Sequence, residues 1–109
     1  MQDDPGHKAV LDSLLLKIPG VVAADMSGFP AYFINKRMFA CICGEGVGIR
    51  LPMSTAANLQ FARNDVVAFQ PNGRPSTREW IQINHADSSA YEKDLDIFKA
   101  SVDFVAKSK

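Results

Sequence analysis

Apolar residues form an almost continuous run in the middle of the chain, interrupted only by short polar or glycine-rich turns. Residues 31–51 predict two consecutive β-hairpins with turns at residues 35–37 and 44–46, because Asn and Gly tolerate the backbone conformations of hairpin turns. In the middle strand, residues 38–43, even and odd positions are both apolar. An antiparallel strand with one face in water should alternate instead. The pattern therefore predicts a sheet covered on both faces, with a helix or another copy of the chain over the second face.

A helical pattern precedes this run at the N-terminal end. Asp4 suits a helix N-cap and Pro5 the first helical position. Apolar residues at helical spacing between positions 10 and 18 then form one stripe, and Pro19 followed by glycine ends the helix. His7, close to the start of this helix, is expected to be solvated.

The remaining segments alternate between strand and helix patterns. Short strands are expected at residues 21–24, 66–70 and 80–84 from their β-branched and aromatic content. A short helix is expected at residues 52–62. The residues expected to pack this helix against the fold are Met53, Ala56, Ala57 and Phe61. In the strand at 80–84, isoleucines should face the core and Trp80 the opposite side.

The C-terminal segment predicts a long helix. Residues 89–92, Ser-Ala-Tyr-Glu, form a capping-box motif ahead of it. Its apolar stripe consists of Tyr91, Leu95, Phe98, Val102 and Val105. Such a stripe is more often part of a core than a partner site.

Taken in order, the elements give α-β-β-β-β-α-β-β-α. Helices at both chain ends around a mostly antiparallel sheet of about five to six strands define an α+β domain. The 109 residues fit a single domain, residues 1–109.

The formal net charge of zero argues against a strongly basic nucleic-acid-binding surface. No apolar run approaches the ~20 residues of a membrane helix, and the acidic start does not resemble a signal peptide, so we expect a cytoplasmic protein without a membrane contact.

Candidate catalytic and metal-binding chemistry is sparse. Cys41 and Cys43 lie on the same side of a predicted strand, at roughly 6.5–7 Å between Cα atoms, which is too far for an easy disulfide. We therefore expect buried, reduced thiols. A zinc site needs four ligands, and His7 and His85 have no ligand spacing with the cysteines. His85 followed by Asp87 is expected in a turn, so the sequence predicts neither metal, cofactor nor enzymatic activity.

A loop with two arginines carries the clearest candidate for partner binding. Arg74 and Arg78 lie in the Pro- and Gly-containing stretch before Trp80, and Lys36 and Arg37 lie at a predicted hairpin tip. Arginines in an exposed loop can bind phosphate or carboxylate in a bidentate manner. The alternative is that Arg74 is held by carbonyl or carboxylate groups of its own chain.

The order of elements and several short sequences resemble the N-terminal domain of the TfoX/Sxy competence regulators and its stand-alone relatives. The resembling stretches are residues 26–28, residues 32–35 leading into 38–41, residues 46–51 and residues 73–75. The resemblance extends from about Pro19 to the C-terminal helix. It implies a helix-flanked antiparallel sheet, as in YjbR-like proteins, and a regulatory or interaction role in bacteria rather than catalysis.

Two functional hypotheses follow. The first is a non-enzymatic regulatory or protein-interaction domain, binding a protein partner or forming a homodimer, that buries its second sheet face in the contact. The second is a small nucleic-acid-binding module that uses Arg74 and Arg78. Nucleic-acid affinity should fall steeply with salt, whereas an apolar protein contact should not.

Overall fold

The computed structural model describes residues 5–26, 29–43, 46–69, 79–85 and 87–107. Its elements are α1 (Pro5–Leu15), β1 (Val22–Met26), β2 (Phe29–Ile34), β3 (Arg37–Cys43), β4 (Gly46–Arg50), α2 (Met53–Ala62), β5 (Val66–Ala68), β6 (Trp80–Ile83), a 3₁₀ helix (Ser88–Asp94) and α3 (Leu95–Lys107). The predicted α+β class and the predicted order of helices and strands are confirmed. No helix within these ranges has the length and apolar character needed to cross a bilayer.

The strands form a six-stranded sheet in the order β1-β2-β3-β4-β6-β5, with antiparallel neighbours throughout. The first predicted hairpin is confirmed, and its turn is tight. Asn35 and Lys36 both have positive φ, 52° and 66°, as in a type I′ turn that matches the twist of the flanking strands. The second hairpin joins β3 to β4, whose pairing begins at Cys43 and Gly46.

A β-bulge in β3 explains part of its unusual apolar pattern. Tyr32 pairs with Ala40, but Phe33 pairs with Met38, so Phe39 is an extra residue on β3. As a result Phe39 and Ala40, neighbours in sequence, both join the core on the helix side of the sheet. Met38 instead lies with the residues of the opposite face.

All three α-helices contribute to one core on one face of the sheet. Leu11 and Leu15 of α1 and Phe98 and Val105 of α3 are fully buried there, which confirms the stripes predicted for the two terminal helices. Burial of these side chains is the main term that holds the layers together, at about 1.5–3 kcal/mol for each fully buried large side chain.

The packing predicted for α2 is wrong in three of four positions. Ala56 is buried, but Ala57 is exposed and Met53 and Phe61 are 56% and 95% exposed. The helix instead contacts β5 and β6 and turns the side that includes Ala56 and half-buried Leu59 towards the core. The helix has no charged residue to mark its outer side, so its sequence does not distinguish the two sides.

Two further predictions at the helix ends are wrong. The N-cap of the last helical segment is Asp87, whose carboxylate accepts hydrogen bonds from the Ser89 backbone and hydroxyl groups at 3.0 and 2.8 Å. The segment begins as a 3₁₀ helix rather than with the Ser89 capping box. His7 is not solvated: it is 1% exposed, its Nδ1 lies 2.6 Å from Ser88 Oγ, and its ring meets Tyr91 edge-on at 4.9 Å. The cause is tertiary, because α1 packs against the 3₁₀ helix.

Candidate functional site

The face of the sheet opposite the helices carries its own apolar cluster, which we call the open face. Its members are Phe29, Ala31, Phe33, Met38, Cys41, Phe69 and Trp80. Among the residues that the structure describes, no helical residue belongs to this cluster. The sequence correctly predicted that both faces are apolar, and none of the described helices covers the second face.

Phe69 covers the centre of the open face. It follows β5 and is 5% exposed, and its ring lies against Gly48 of β4, where an added Cβ would come within 2.7 Å of Phe69 Cε1. The ring of Trp80 stacks on Phe69 with 5.3 Å between centroids and a 29° interplanar angle. Gly48 therefore provides the space that lets the Phe69 ring lie flat on the sheet. Cys41, which pairs with Gly48, is fully buried, as predicted.

The rest of the open face is half-exposed. Phe29, Phe33, Met38 and Trp80 all have intermediate exposure. Phe33 pairs with Met38 on β3 and with Val22 on β1, and Val22 is 59% exposed. The register therefore places an apolar row across three adjacent strands, with aromatic and Met side chains of the kind that protein interfaces favour.

Three of the five predicted partner-binding residues lie at one end of this face. Lys36 is exposed and Arg37 half-buried at the β2–β3 turn. Trp80 begins β6 and pairs with Arg50 at the end of β4, so it lies at the same end of the sheet as that turn. Arg74 and Arg78 lie outside the described residues.

Arg50 is a residue that sequence reasoning missed at this end of the sheet. Its Nε and one terminal nitrogen donate to Glu79 Oε1 at 3.1 and 2.9 Å, and its guanidinium carbon lies 5.7 Å from the ring centroid of Phe104. These contacts join the ends of β4 and β6 to α3. They fix the backbone beside Trp80 and thereby the orientation of the open face.

A second polar cluster lies where α2, β5 and the 3₁₀ helix meet. Arg63 donates to both oxygens of Asp65 at 3.0 and 2.8 Å and to Asp94 at 2.9 Å. The hydrogen bonds to Asp65 and Asp94 raise the pKa of Arg63, and the bond from Arg63 lowers the pKa of Asp65. His85 Nε2 lies 2.7 Å from Asp94 Oδ2, so His85 is partnered by Asp94 rather than by Asp87.

Tyr91 connects this cluster to α1. Its hydroxyl donates to the Ile83 carbonyl at 2.8 Å and accepts from the His85 backbone at 3.2 Å, and the His85 ring meets it edge-on at 4.6 Å. Every buried side-chain nitrogen and oxygen among the described residues has a hydrogen-bonding partner. The arrangement is therefore that of a structural network that closes one end of the core.

A third polar feature lies between α1 and β1. Asp12 accepts from Lys8 at 2.8 Å and from the Tyr32 hydroxyl at 2.6 Å. Partial burial acts to raise the pKa of Asp12, but the bonds from Lys8 and Tyr32 outweigh it and leave this pKa below its usual value. Burial and the bond to Asp12 raise the pKa of Tyr32. These residues border a cleft of about 250 Å³ whose other wall includes Ala23 and Asp25 of β1.

Comparison with family models, with curated proteins and with solved structures found no match for this chain. Function must therefore be argued from the surfaces described above. Of these, the open face presents apolar area to solvent, whereas the Arg63 network is half-buried and its hydrogen bonds are made within the chain.

Proposed function

We propose that this chain is a non-enzymatic protein-interaction domain with a regulatory role, as its resemblance to the TfoX N-terminal domain implies, and that the open face is its contact surface. One observation carries the proposal. All described helices pack on one side of the sheet, while the other side keeps four large apolar side chains half-exposed: Phe29, Phe33, Met38 and Trp80. Soluble domains seldom keep a contiguous apolar patch without a binding role.

The chemistry around the patch describes the partner. Lys36 and Arg37 flank the end at which Phe33, Met38 and Trp80 lie, so a segment with apolar side chains and nearby carboxylates would complement it. Aromatic rings that pack in an interface centre contribute most of its binding energy. The partner we propose is thus a protein segment whose apolar side chains contact Phe33, Met38 and Trp80.

The test is retention of a partner by the immobilised protein, followed by titration of that purified partner. We expect Phe33→Thr with Met38→Thr to abolish retention, since threonine keeps the strand propensity and removes the apolar contact. Phe61→Ser is the matched control, because Phe61 is an exposed ring on the helix side. A partner retained equally by both variants would refute the open face as the contact surface.

The same experiment addresses nucleic acid binding. Retention that disappears with rising salt and with Arg74→Ala plus Arg78→Ala would support the nucleic-acid module instead. Retention by apolar contact should persist at high salt. Of the three arginines among the described residues, Arg50 and Arg63 already pair with carboxylates of the chain, which favours the protein partner.

A further inference from the structure

The outer edge of β1 is an accessible strand edge. β1 is the last strand on its side of the sheet and pairs only with β2 among the described strands. Residues 22–25 are all exposed, and Asp25 is the only charged residue in the strand. Edge strands normally carry charges, proline or a bulge that blocks further pairing, and β1 has neither proline nor a bulge and only the single charge of Asp25.

The opposite edge of the sheet, formed by β5, is less available for pairing with another strand. β5 is three residues long, against five in β1, and α2 packs beside it. Very short edge strands pair poorly with another chain. The comparison singles out β1 as the edge at which the sheet can be extended.

The sequence of β1 is complementary to itself in antiparallel pairing. With a two-fold axis through Ala24, Ala24 lies opposite Ala24 of a second copy, Ala23 opposite Asp25, and Val22 opposite Met26. In this register no two like charges lie directly opposite each other. Like charges in directly opposite positions would destabilise the strand pair. The small side chain of Ala24 at the axis permits close approach of the two strands.

The neighbouring charges also complement a second copy. Ala23 pairs with Tyr32 on the helix side of the sheet and borders the same cleft as Lys8. The proposed register brings Asp25 of the second copy opposite Ala23, and therefore next to Lys8. Lys8 is 52% exposed and bonded to Asp12, and Asp25 of its own chain borders the same cleft. The exposed ammonium group has three N–H donors, so it can also donate to the carboxylate of the second copy. The pair repeats on the other side of the two-fold axis.

One exposed leucine, Leu16, lies on the same side of the first helix as Lys8 and Asp12, which border the cleft beside β1. Leu16 lies at helical spacing from Lys8 and Asp12, continues α1 through its backbone hydrogen bond to Asp12, and is 46% exposed. A strand pair alone buries less than the ~800 Å² per partner of a standard interface. The α1 side chains above β1 extend the contact beyond the strand pair.

We propose that two copies of this chain associate through β1, antiparallel about Ala24, and join their six-stranded sheets into one. In this dimer both helix layers lie on one side and both open faces on the other, which doubles the proposed contact surface. The dimer does not depend on partner binding by the open face. The test of the dimer measures molecular mass in solution. Failure of the dimer proposal can therefore be distinguished from failure of the proposed function.

The test uses opposite charges at the axis. Ala24→Lys and Ala24→Asp each place two like charges opposite each other, and we expect either change to weaken self-association roughly 100-fold. An equimolar mixture of the two variants should associate again. Ala57→Lys, at an exposed alanine of α2, is the control and should leave the dimer intact. Light scattering or sedimentation measures the mass.

The outcomes separate clearly. A dimer for the unmodified chain, monomers for each Ala24 variant and restored dimers in the mixture support the proposal. A monomeric unmodified chain at millimolar concentration overturns it, and so does a dimer that persists with Ala24→Lys. Circular dichroism and Trp80 emission establish that each variant is folded, and restored association in the mixture gives the same assurance independently.

Discussion

Ser101 links the bulge of β3 to the end of β4 through a single hydroxyl group. Ser101 is fully buried in α3, and its Oγ contacts the carbonyl oxygens of Phe39 at 3.2 Å and Arg50 at 2.5 Å. Phe39 is the extra residue of the bulge, and Arg50 is the last residue of β4. The hydroxyl therefore supplies a hydrogen bond where the regular pairing of strands is interrupted.

Replacing Ser101 by alanine should lower the free energy of unfolding by about 1–3 kcal/mol, because buried carbonyl groups lose their donor. Urea denaturation followed by Trp80 emission measures the change. Ser54→Ala, at an exposed position of α2, serves as the control and should change stability by less than ~0.5 kcal/mol. Equal effects from the two substitutions would contradict the role assigned to Ser101.

The environments of single residues were the hardest features to predict from the sequence. His7 was expected in solvent because it lies near a helix start, but its environment is set by Ser88 and Tyr91, more than eighty positions along the chain. Ser101 gave no signal at all, since a serine in a helix usually faces water. Both positions depend on tertiary contacts that a local pattern does not contain.

The β2–β3 turn allows a test at the scale of one element. Lys36 has φ of 66°, a left-handed conformation that costs non-glycine residues about 1–2 kcal/mol. We expect Lys36→Gly to stabilise the protein by about 0.5–1 kcal/mol, less than the full cost because glycine also loses more backbone entropy on folding. Thermal unfolding measures it. Lys36→Ala removes the charge but keeps the strained conformation, so a glycine variant no more stable than the alanine variant would refute the explanation.

Helices and strands were predicted well where the sequence pattern is compatible with only one structure. The hairpin turn and the stripes of α1 and α3 follow from turn chemistry and helical spacing, and the structure contains them. Because α2 has no charged residue, several of its sides could pack against the core, and the side that faces the core was assigned wrongly. The motif at Ser89 competed with Asp87 two positions earlier, whose carboxylate caps the helix. The bulge at Phe39 has no signature in the sequence beyond a run that fails to alternate.

For the whole molecule, the sequence predicted a sheet with two apolar faces but not how each is covered. Local periodicity reports which residues are apolar, whereas the arrangement of layers follows from which elements pack together. The helices gather on one face because α1 and α3 both contact the 3₁₀ helix, and α3 also contacts β2, β3 and β4. Phe69 then covers part of the other face, a role that depends on the absence of a side chain at Gly48.

The ion pairs that join these elements predict how the whole fold responds to acid. The bond from Arg63 holds the pKa of Asp65 below its ordinary 3.8. Asp65 thus binds fewer protons in the folded than in the unfolded chain near that pH, and its stabilisation, present above the unfolded value, is lost as the pH falls through the folded one. We expect Asp65→Asn to lower the free energy of unfolding at pH 7 by about 1 kcal/mol, discounted for its partial exposure, and to reduce the loss of stability between about pH 5 and 2. Asp103→Asn removes a more exposed pair with Lys107 and serves as the control, with an expected change in the free energy of unfolding at pH 7 below ~0.5 kcal/mol. Urea denaturation across this pH range measures both variants, and parallel curves for Asp65→Asn and the unmodified chain would contradict the assignment.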